Sequence, residues 1–353
     1  MEPKKLVHGG DWAGFAEEYG TAPLDFSANV SPLGVPEGVK KAIHQAIETV
    51  DRYPDPLCRT LCRKIARHEQ VPETYVLCGN GAADLIFRAV MAVSPKRALL
   101  TAPTFAEYEA ALQQAGCQVE RYVLGEETNF ALDDGFLAKI QPGIDLVFLC
   151  EPNNPTGQVS PKEFLWRVAK RCEDCGAKLV LDECFGDFLA DPAAHTFKNE
   201  LSRFPGLMIL RAFTKLYAMA GVRLGYALCA GEDWMEKMRV ASQPWAVSSL
   251  AQAAGEAALD ETDYVRRVRT LVANERPWMI EKLSLLGLRV IPGQANYLLF
   301  QCPVPLLRPL RKKGILLRSC GNYPGLSDDW YRTAVRTHKE NERLLQAIEE
   351  VLR

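Results

Sequence analysis

The chain has 353 residues, 48% of them hydrophobic and 24% charged, with 25 Gly and 22 Pro, a composition that excludes disorder, collagen and coiled coil. The 42 Lys and Arg against 44 Asp and Glu leave a formal net charge of −2, so nothing steers the chain toward nucleic acid or an acidic membrane surface. Apolar runs such as 146–150 are far shorter than the ~20 residues a membrane-spanning helix needs. The N-terminus MEPKKLVHGGDW lacks the apolar core of a signal peptide, and the expectation is a soluble cytoplasmic protein with no membrane or nucleic-acid partner. The 11 cysteines are an odd number, and Cys150, Cys184 and Cys229 sit inside apolar runs where a thiol behaves as a small core residue, so no disulfide framework is expected. The CxxC of Cys172 and Cys175 lies in a helix-like stretch without a second pair at ligand spacing, and no metal is expected.

In chain order, an N-terminal arm runs to about residue 56. From 57 to 250, short apolar runs alternate with stretches of helical period: YVLCGNG then AADLIFRAVMAV, RALLTAP then FAEYEAALQQAG, LVFLCEPNNPTG then PKEFLWRVAKRCEDCG, and KLVLDE. Continuous apolar runs bounded by Gly, Pro or Asn, each followed by an amphipathic stretch, read as buried strands joined by crossover helices. The expected architecture is a large, mostly parallel α/β/α domain over 57–250. Residues 251–286 read as one long helical stretch, followed by strand-like LRVIPG, ANYLLFQ and GILLRS and a helix around ENERLLQAIEEVL. With the arm 1–56, residues 251–353 should form a smaller α+β domain, with a site between the two at the ends of the parallel strands.

Polar residues stand where such a sheet places its ligand. Asn153, Asn154, Pro155, Thr156 and Gly157 follow LVFLCE, Asp182 ends KLVLD, Thr214 and Lys215 follow MILRAF, and Arg223 comes eight residues after Lys215. Each has an ordinary reading: Asn-Pro-Thr-Gly makes a good turn, Asp182 can cap a helix, and Lys215 can be a solvated lysine. Their order and common position at strand ends single them out together.

In PNNPTG at 152–157, LDE at 181–183, TK at 214–215 and GVRLG at 221–225, the sequence resembles the fold-type I pyridoxal-phosphate enzymes, the aspartate aminotransferase superfamily, over nearly its whole length. The resemblance implies a large cofactor domain, a small domain and a homodimer. It makes Lys215 the lysine that bonds the cofactor carbonyl, Asp182 the partner of the pyridine nitrogen, and Asn154 the donor to the phenolic oxygen. An amino-acid carbanion needs the cofactor ring as an electron sink, and a carboxylate beside the ring nitrogen keeps that sink protonated. For the cofactor phosphate the chain offers Arg223, the Thr214 hydroxyl and the turn at Gly79, Asn80 and Gly81, which opens a helix at Ala82 and Ala83. The family pattern places Tyr53, in RYPDP, on the partner subunit's cofactor phosphate and Phe105, in PTFAEY, on the ring face. Two positions depart from it: Ala212 stands where many relatives have a phosphate-binding Ser, and Phe185 where aminotransferases commonly have Tyr.

HGG at 8–10, LDFSANVSPLG at 24–34, RYPDP at 52–56, LRSCGNYPGL at 317–326 and YRTAVR at 331–336 narrow the likeness. They resemble the histidinol-phosphate aminotransferase group and, inside it, the threonine-phosphate decarboxylases of cobalamin synthesis. This implies a small phosphoamino acid as substrate, with Arg332 on its carboxylate and Arg318, His8, Gly9 and Asn29 on its phosphate. Arginine forks suit both anions. Without the resemblance, His8 reads as a terminal residue and Arg318 and Arg332 as surface arginines. The rival expectations are an aminotransferase on the same scaffold, acting on histidinol phosphate or another amino acid, and a non-catalytic binding protein of the same fold. Retention of Lys215, Asp182, Asn154 and Arg223 together argues against the latter.

Overall fold

The apolar runs in the middle of the chain become strands covered on both faces. In the computed structural model, which describes residues 8–353, the strands in chain order are β1 (Leu24–Asp25), β2 (Val76–Gly79), β3 (Arg97–Ala102), β4 (Gln118–Val123), β5 (Leu146–Cys150), β6 (Lys178–Asp182), β7 (Leu207–Ala212), β8 (Gly225–Cys229), β9 (Arg289–Ile291), β10 (Tyr297–Gln301), β11 (Ile315–Leu316), β12 (Arg318–Ser319) and β13 (Trp330–Ala334). Residues 1–7, with which the expected arm begins, lie outside the described residues.

The central sheet has the order β2-β8-β7-β6-β5-β3-β4. From β4 to β7 all pairs are parallel, while β8 runs antiparallel to both β7 and β2. β2 therefore points the same way as β7, and the C-terminal ends of every strand but β8 gather on one edge of the sheet. The strand period of two divides the core. Leu146 and Phe148 of β5 and Val180 of β6 pack under the helices Gly81–Val93, Ala106–Gln114 and Glu232–Val240. Val147, Leu149, Leu179 and Leu181 pack on the other face against Phe164, Leu165 and Val168 of the helix Lys162–Cys175. The edge strand β4, QVERYV, is only partly covered and carries no continuous apolar run. It is absent from the sequence reading for that reason.

Beyond the sheet, the expected single helical stretch 251–286 is two helices, Ser249–Ala258 and Thr262–Leu285. The break falls where two acidic residues are drawn into contacts elsewhere: Asp260 pairs with Lys64, and the Glu261 carboxylate accepts the Gly38 N–H at 3.0 Å. The second helix serves two cores. Its Tyr264, Val268 and Val272 pack toward the central sheet, and its Met279 and Leu283 pack with Leu298, Phe300 and Ile348 behind a four-stranded antiparallel sheet of order β12-β13-β10-β9. β1 pairs in parallel with β11, which brings the N-terminal segment to this smaller sheet. The C-terminal helix His338–Leu352 starts from a capping box made by Thr337 and Glu340. Among the described residues no helix is long and apolar enough to cross a membrane.

Candidate active site

Loops leaving the common edge of the central sheet supply most of the residues singled out in the sequence. β6 ends on Asp182, which is 4% exposed. Its Oδ1 accepts the Cys184 N–H at 3.0 Å, and its Oδ2 accepts the Tyr108 hydroxyl at 2.7 Å. β7 passes directly into the short helix Phe213–Leu216, which carries buried Thr214 and half-buried Lys215. The Lys215 Nζ lies 5.4 Å from the centre of the Phe185 ring. Burial, then the Arg332 guanidinium, press its ammonium from 10.5 down to about 8. Cys184 and Asp182 pull the other way, and Arg223 adds to the depression.

The turn after β5 is held from several sides. Asn153 accepts from the Thr104 hydroxyl and donates to Pro103 O and Thr156 Oγ1, and the Tyr297 hydroxyl donates to its carbonyl at 2.8 Å. Asn154, 5% exposed, accepts at Oδ1 from Arg332 Nη1 at 2.5 Å. Because a guanidinium can only donate, this bond fixes the amide orientation and turns the Asn154 NH2 the other way, as a free-standing donor.

After β2 comes the helix Gly81–Val93, whose Asn80 N-cap makes no side-chain bond to the first turn. The N–H groups of Gly81, Ala82 and Ala83 thus belong to an uncapped helix start, the geometry that receives anions. Gly81 has φ +81°, and a Cβ there would lie 2.9 Å from Arg223 Nη2. A Cβ on Gly225 would sit 2.7 Å from Ala82 N. Glycine at both positions lets the guanidinium and the helix start converge on one spot, a cradle that side chains would fill.

The smaller sheet and the N-terminal segment close the site from the other side. Arg318 of β12 and Arg332 of β13 are direct cross-strand partners, so they share one face of the sheet, and both are buried at 7% and 6% exposure. Arg332 Nη2 donates to Ser27 O at 2.8 Å, while its Nε has no partner. Arg318 donates to Asn322 Oδ1 at 2.8 Å and lies over the Tyr323 ring. Segment 24–31 threads between the sheets, with Ser31 N donating to Lys215 O and Asn296 to Asn29 O. Asn29 is 2% exposed, and neither its Oδ1 nor its Nδ2 has a protein partner. A buried amide with both ends unsatisfied costs stability unless something polar is bound there.

Three expected site residues stand further out. His8 is exposed and paired with Glu107 at 2.6 Å, with its ring 5.9 Å from Phe105. Gly9 packs so closely on Ser27 that a Cβ would meet the Ser27 carbonyl oxygen at 2.3 Å. Tyr53 is 79% exposed and stacks on Trp245. Sequence reasoning missed Tyr108, Ser27, Glu107 and Tyr297, and gave Asn153 no role of its own. Tyr108 and Glu107 lie in the quoted PTFAEY and were legible in principle; Tyr297 reads only as an apolar strand residue. All 11 cysteines are free, and Cys172 and Cys175 lie on the helix Lys162–Cys175. Among the described residues no group of three His, Cys, Asp or Glu is placed to hold a metal ion.

Comparison with known proteins places the whole chain in one family. Residues 21–348 match the family model for aminotransferase class I and II. The chain is 41% identical over 353 aligned residues to a threonine-phosphate decarboxylase of Salmonella typhimurium, covering 98% of this chain and 96% of that protein. It is 34% identical to a histidinol-phosphate aminotransferase of Desulfitobacterium hafniense, covering 92% and 91%. The crystal structure of the histidinol-phosphate aminotransferase from Clostridium acetobutylicum superposes with a TM-score of 0.87 at 30% identity, over 93% of this chain and 98% of that one. The chain belongs to the class I and II aminotransferase family and, with that family, to the enzymes that work through pyridoxal phosphate.

Proposed function

We propose that this protein decarboxylates O-phospho-L-threonine to (R)-1-amino-2-propanol O-2-phosphate, a step serving cobalamin synthesis, and that O-phospho-L-serine can take the same path to ethanolamine phosphate. The observation that carries the substrate class is the pairing of Arg318 with Arg332 across β12 and β13. Two guanidiniums side by side on one face suit a ligand with two anionic groups, and the unsatisfied amide of Asn29 offers a further polar contact. The Salmonella relative, alike over nearly its whole length, carries a decarboxylase name.

The residues present fit the cofactor. Gly81, Ala82, Ala83, Thr214 and Arg223 would hold its phosphate, with Tyr53 reaching the partner's in a homodimer. Phe105 would cover the ring, Asp182 meet the ring nitrogen, Asn154 NH2 meet the phenolic oxygen, and Lys215 attach to the carbonyl. When bound, the cofactor supplies the electron sink that a carbanion at the substrate Cα requires. The chain's own work is then positional. Arg332 holds the α-carboxylate and Arg318 the phosphate, with His8, Gly9 and Asn29 around it, and two fixed ends set which Cα bond faces the ring. Lys215, or a water beside it, would deliver the proton to Cα. Phe185 brings no hydroxyl to this place, which departs from the usual aminotransferase arrangement.

The reading includes a cytoplasmic homodimer built from a large domain over 57–250 and a smaller one over 1–56 plus 251–353. Its test is product analysis with O-phospho-L-threonine and O-phospho-L-serine and no added keto acid. One CO2 released per turnover with the phosphorylated amine accumulating supports it. A keto acid released with stoichiometric amination of the cofactor, and no CO2, rejects it in favour of transamination.

A further inference from the structure

We propose that Tyr108 is a positioning residue for the cofactor ring, its hydroxyl fixing the Asp182 carboxylate in the orientation that meets the ring nitrogen. The proposal rests on the reading of Asp182 as that nitrogen's partner. The geometry is unusually constrained. Tyr108 is 0% exposed, its ring lies parallel to Phe148 at 4.9 Å and 10°, and its edge meets Phe105 at 5.5 Å and 82°. With the ring clamped, the hydroxyl has one direction, and along it lies Asp182 Oδ2 at 2.7 Å. On the second oxygen, the Cys184 N–H at 3.0 Å completes a two-point hold. Other groups near this carboxylate are the Cys150 and Cys184 thiols and the Tyr297 hydroxyl, all of which burial keeps protonated, and Lys215. Burial and then the Asp182 charge keep the Tyr108 hydroxyl in its donating form.

A carboxylate gripped at both oxygens keeps one lone pair on each for a further donor and cannot rotate to another partner. With both oxygens accepting from fixed donors, the carboxylate would meet the ring nitrogen as an acceptor, the role that a nitrogen carrying the proton requires. Tyr108 touches Phe105 as well, and therefore braces both the residue assigned to the ring face and the one assigned to its nitrogen.

Tyr108→Phe removes one oxygen and keeps the stack. The experiment reconstitutes the holoenzyme with pyridoxal phosphate or with its deaza analogue, in which carbon replaces the ring nitrogen. It measures the dissociation constant of each, the thermal midpoint of the apo-protein, and the 15N resonance of the ring in the loaded enzyme. The expected result is about tenfold weaker binding of pyridoxal phosphate, deaza-analogue binding within about twofold of wild type, and a 15N resonance displaced toward neutral pyridine. Equal losses for both compounds, or no loss for either, overturn the proposal, since a purely structural tyrosine cannot tell nitrogen from carbon. Asp182→Asn is measured alongside. If it fails to distinguish the two compounds, the reading of Asp182 falls and this proposal with it; if it distinguishes them and Tyr108→Phe does not, the proposal alone falls.

Discussion

Lys215 gives the sharpest quantitative expectation. Lowering its ammonium from 10.5 to about 8 means that keeping it charged in the folded apo-protein costs about 3 kcal/mol relative to water. At pH 7 roughly one molecule in ten then holds the neutral amine, against about one in 3,000 for an ordinary lysine. Capture of pyridoxal phosphate by the apo-protein, followed by the absorbance of the lysine-bound cofactor in a stopped-flow instrument from pH 6 to 10, should rise with pH and level off with a midpoint near 8. Arg332→Gln removes the largest neighbouring charge responsible and should move that midpoint upward. The same shift sets a stability slope. With the folded value below the unfolded one, the unfolded chain holds more protons between about pH 8 and 10.5, so this group's contribution to stability rises with pH across that window. Lys215→Met should therefore stabilise the apo-protein at pH 7 by up to about 3 kcal/mol, an advantage that fades between about pH 8 and 10.5. A capture rate with a midpoint above 10, or a downward move in Arg332→Gln, would refute the reasoning.

Further outcomes follow from other buried groups. Glu151, buried against Ser160, is pushed up to about 7 by desolvation. Its folded form keeps a proton that the unfolded chain sheds, so the stability it contributes is lost as pH rises from about 4.5 through 7, and Glu151→Gln should flatten that decline in calorimetric scans; parallel slopes would count against it. Asn29→Ala removes two unsatisfied buried atoms, each worth about 1–3 kcal/mol when unpaired, and should leave apo-protein stability equal or higher while raising KM for O-phospho-L-threonine; a large drop in thermal midpoint would show a structural role instead. Arg318→Gln should raise that KM by about tenfold or more, with a smaller change in kcat, and the reverse split would remove it from phosphate binding. Tyr53→Phe mixed with Lys215→Ala should regain activity if both singles are severely impaired and sites are shared between subunits, and sedimentation of an active monomer would end that idea.

How much of this was legible in the sequence depends on burial. Strands covered on both faces announce themselves as continuous apolar runs, so β2, β3, β5 and β6 were readable, with the proposed cofactor residues near the ends of several of them. The edge strand β4 lacked that signal because water reaches it, and the break at 259–261 was invisible because no Gly or Pro marks it. At the substrate end, family likeness supplied Arg318 and Arg332, but nothing in their spacing shows that strand register sets them side by side. Tyr108 passed unnoticed because a tyrosine three residues after Phe105 looks like a helix's core residue, which it also is.

The register of β12 and β13 also joins the two ends of the chemistry. Arg332 donates from one nitrogen to Asn154 and from the other to Ser27, so the guanidinium proposed to receive the substrate carboxylate is the same one that orients the Asn154 amide, the proposed donor to the cofactor. With Phe185 lacking a hydroxyl, position 185 cannot share the task of holding the phenolic oxygen, and the orientation of Asn154 matters correspondingly more. A carboxylate arriving on Arg332 finds Nε without a protein partner and can bind there without breaking the Asn154 bond. Substrate recognition and cofactor orientation can thus be satisfied together by one side chain. Replacing Arg332 with Lys, which has a single nitrogen, must sacrifice at least one of these bonds. The resulting loss should fall on both kcat and KM, whereas Arg318→Lys, on the phosphate side, should fall mainly on KM; equal patterns in the two variants would mean that Arg332 has no hold on the cofactor through Asn154.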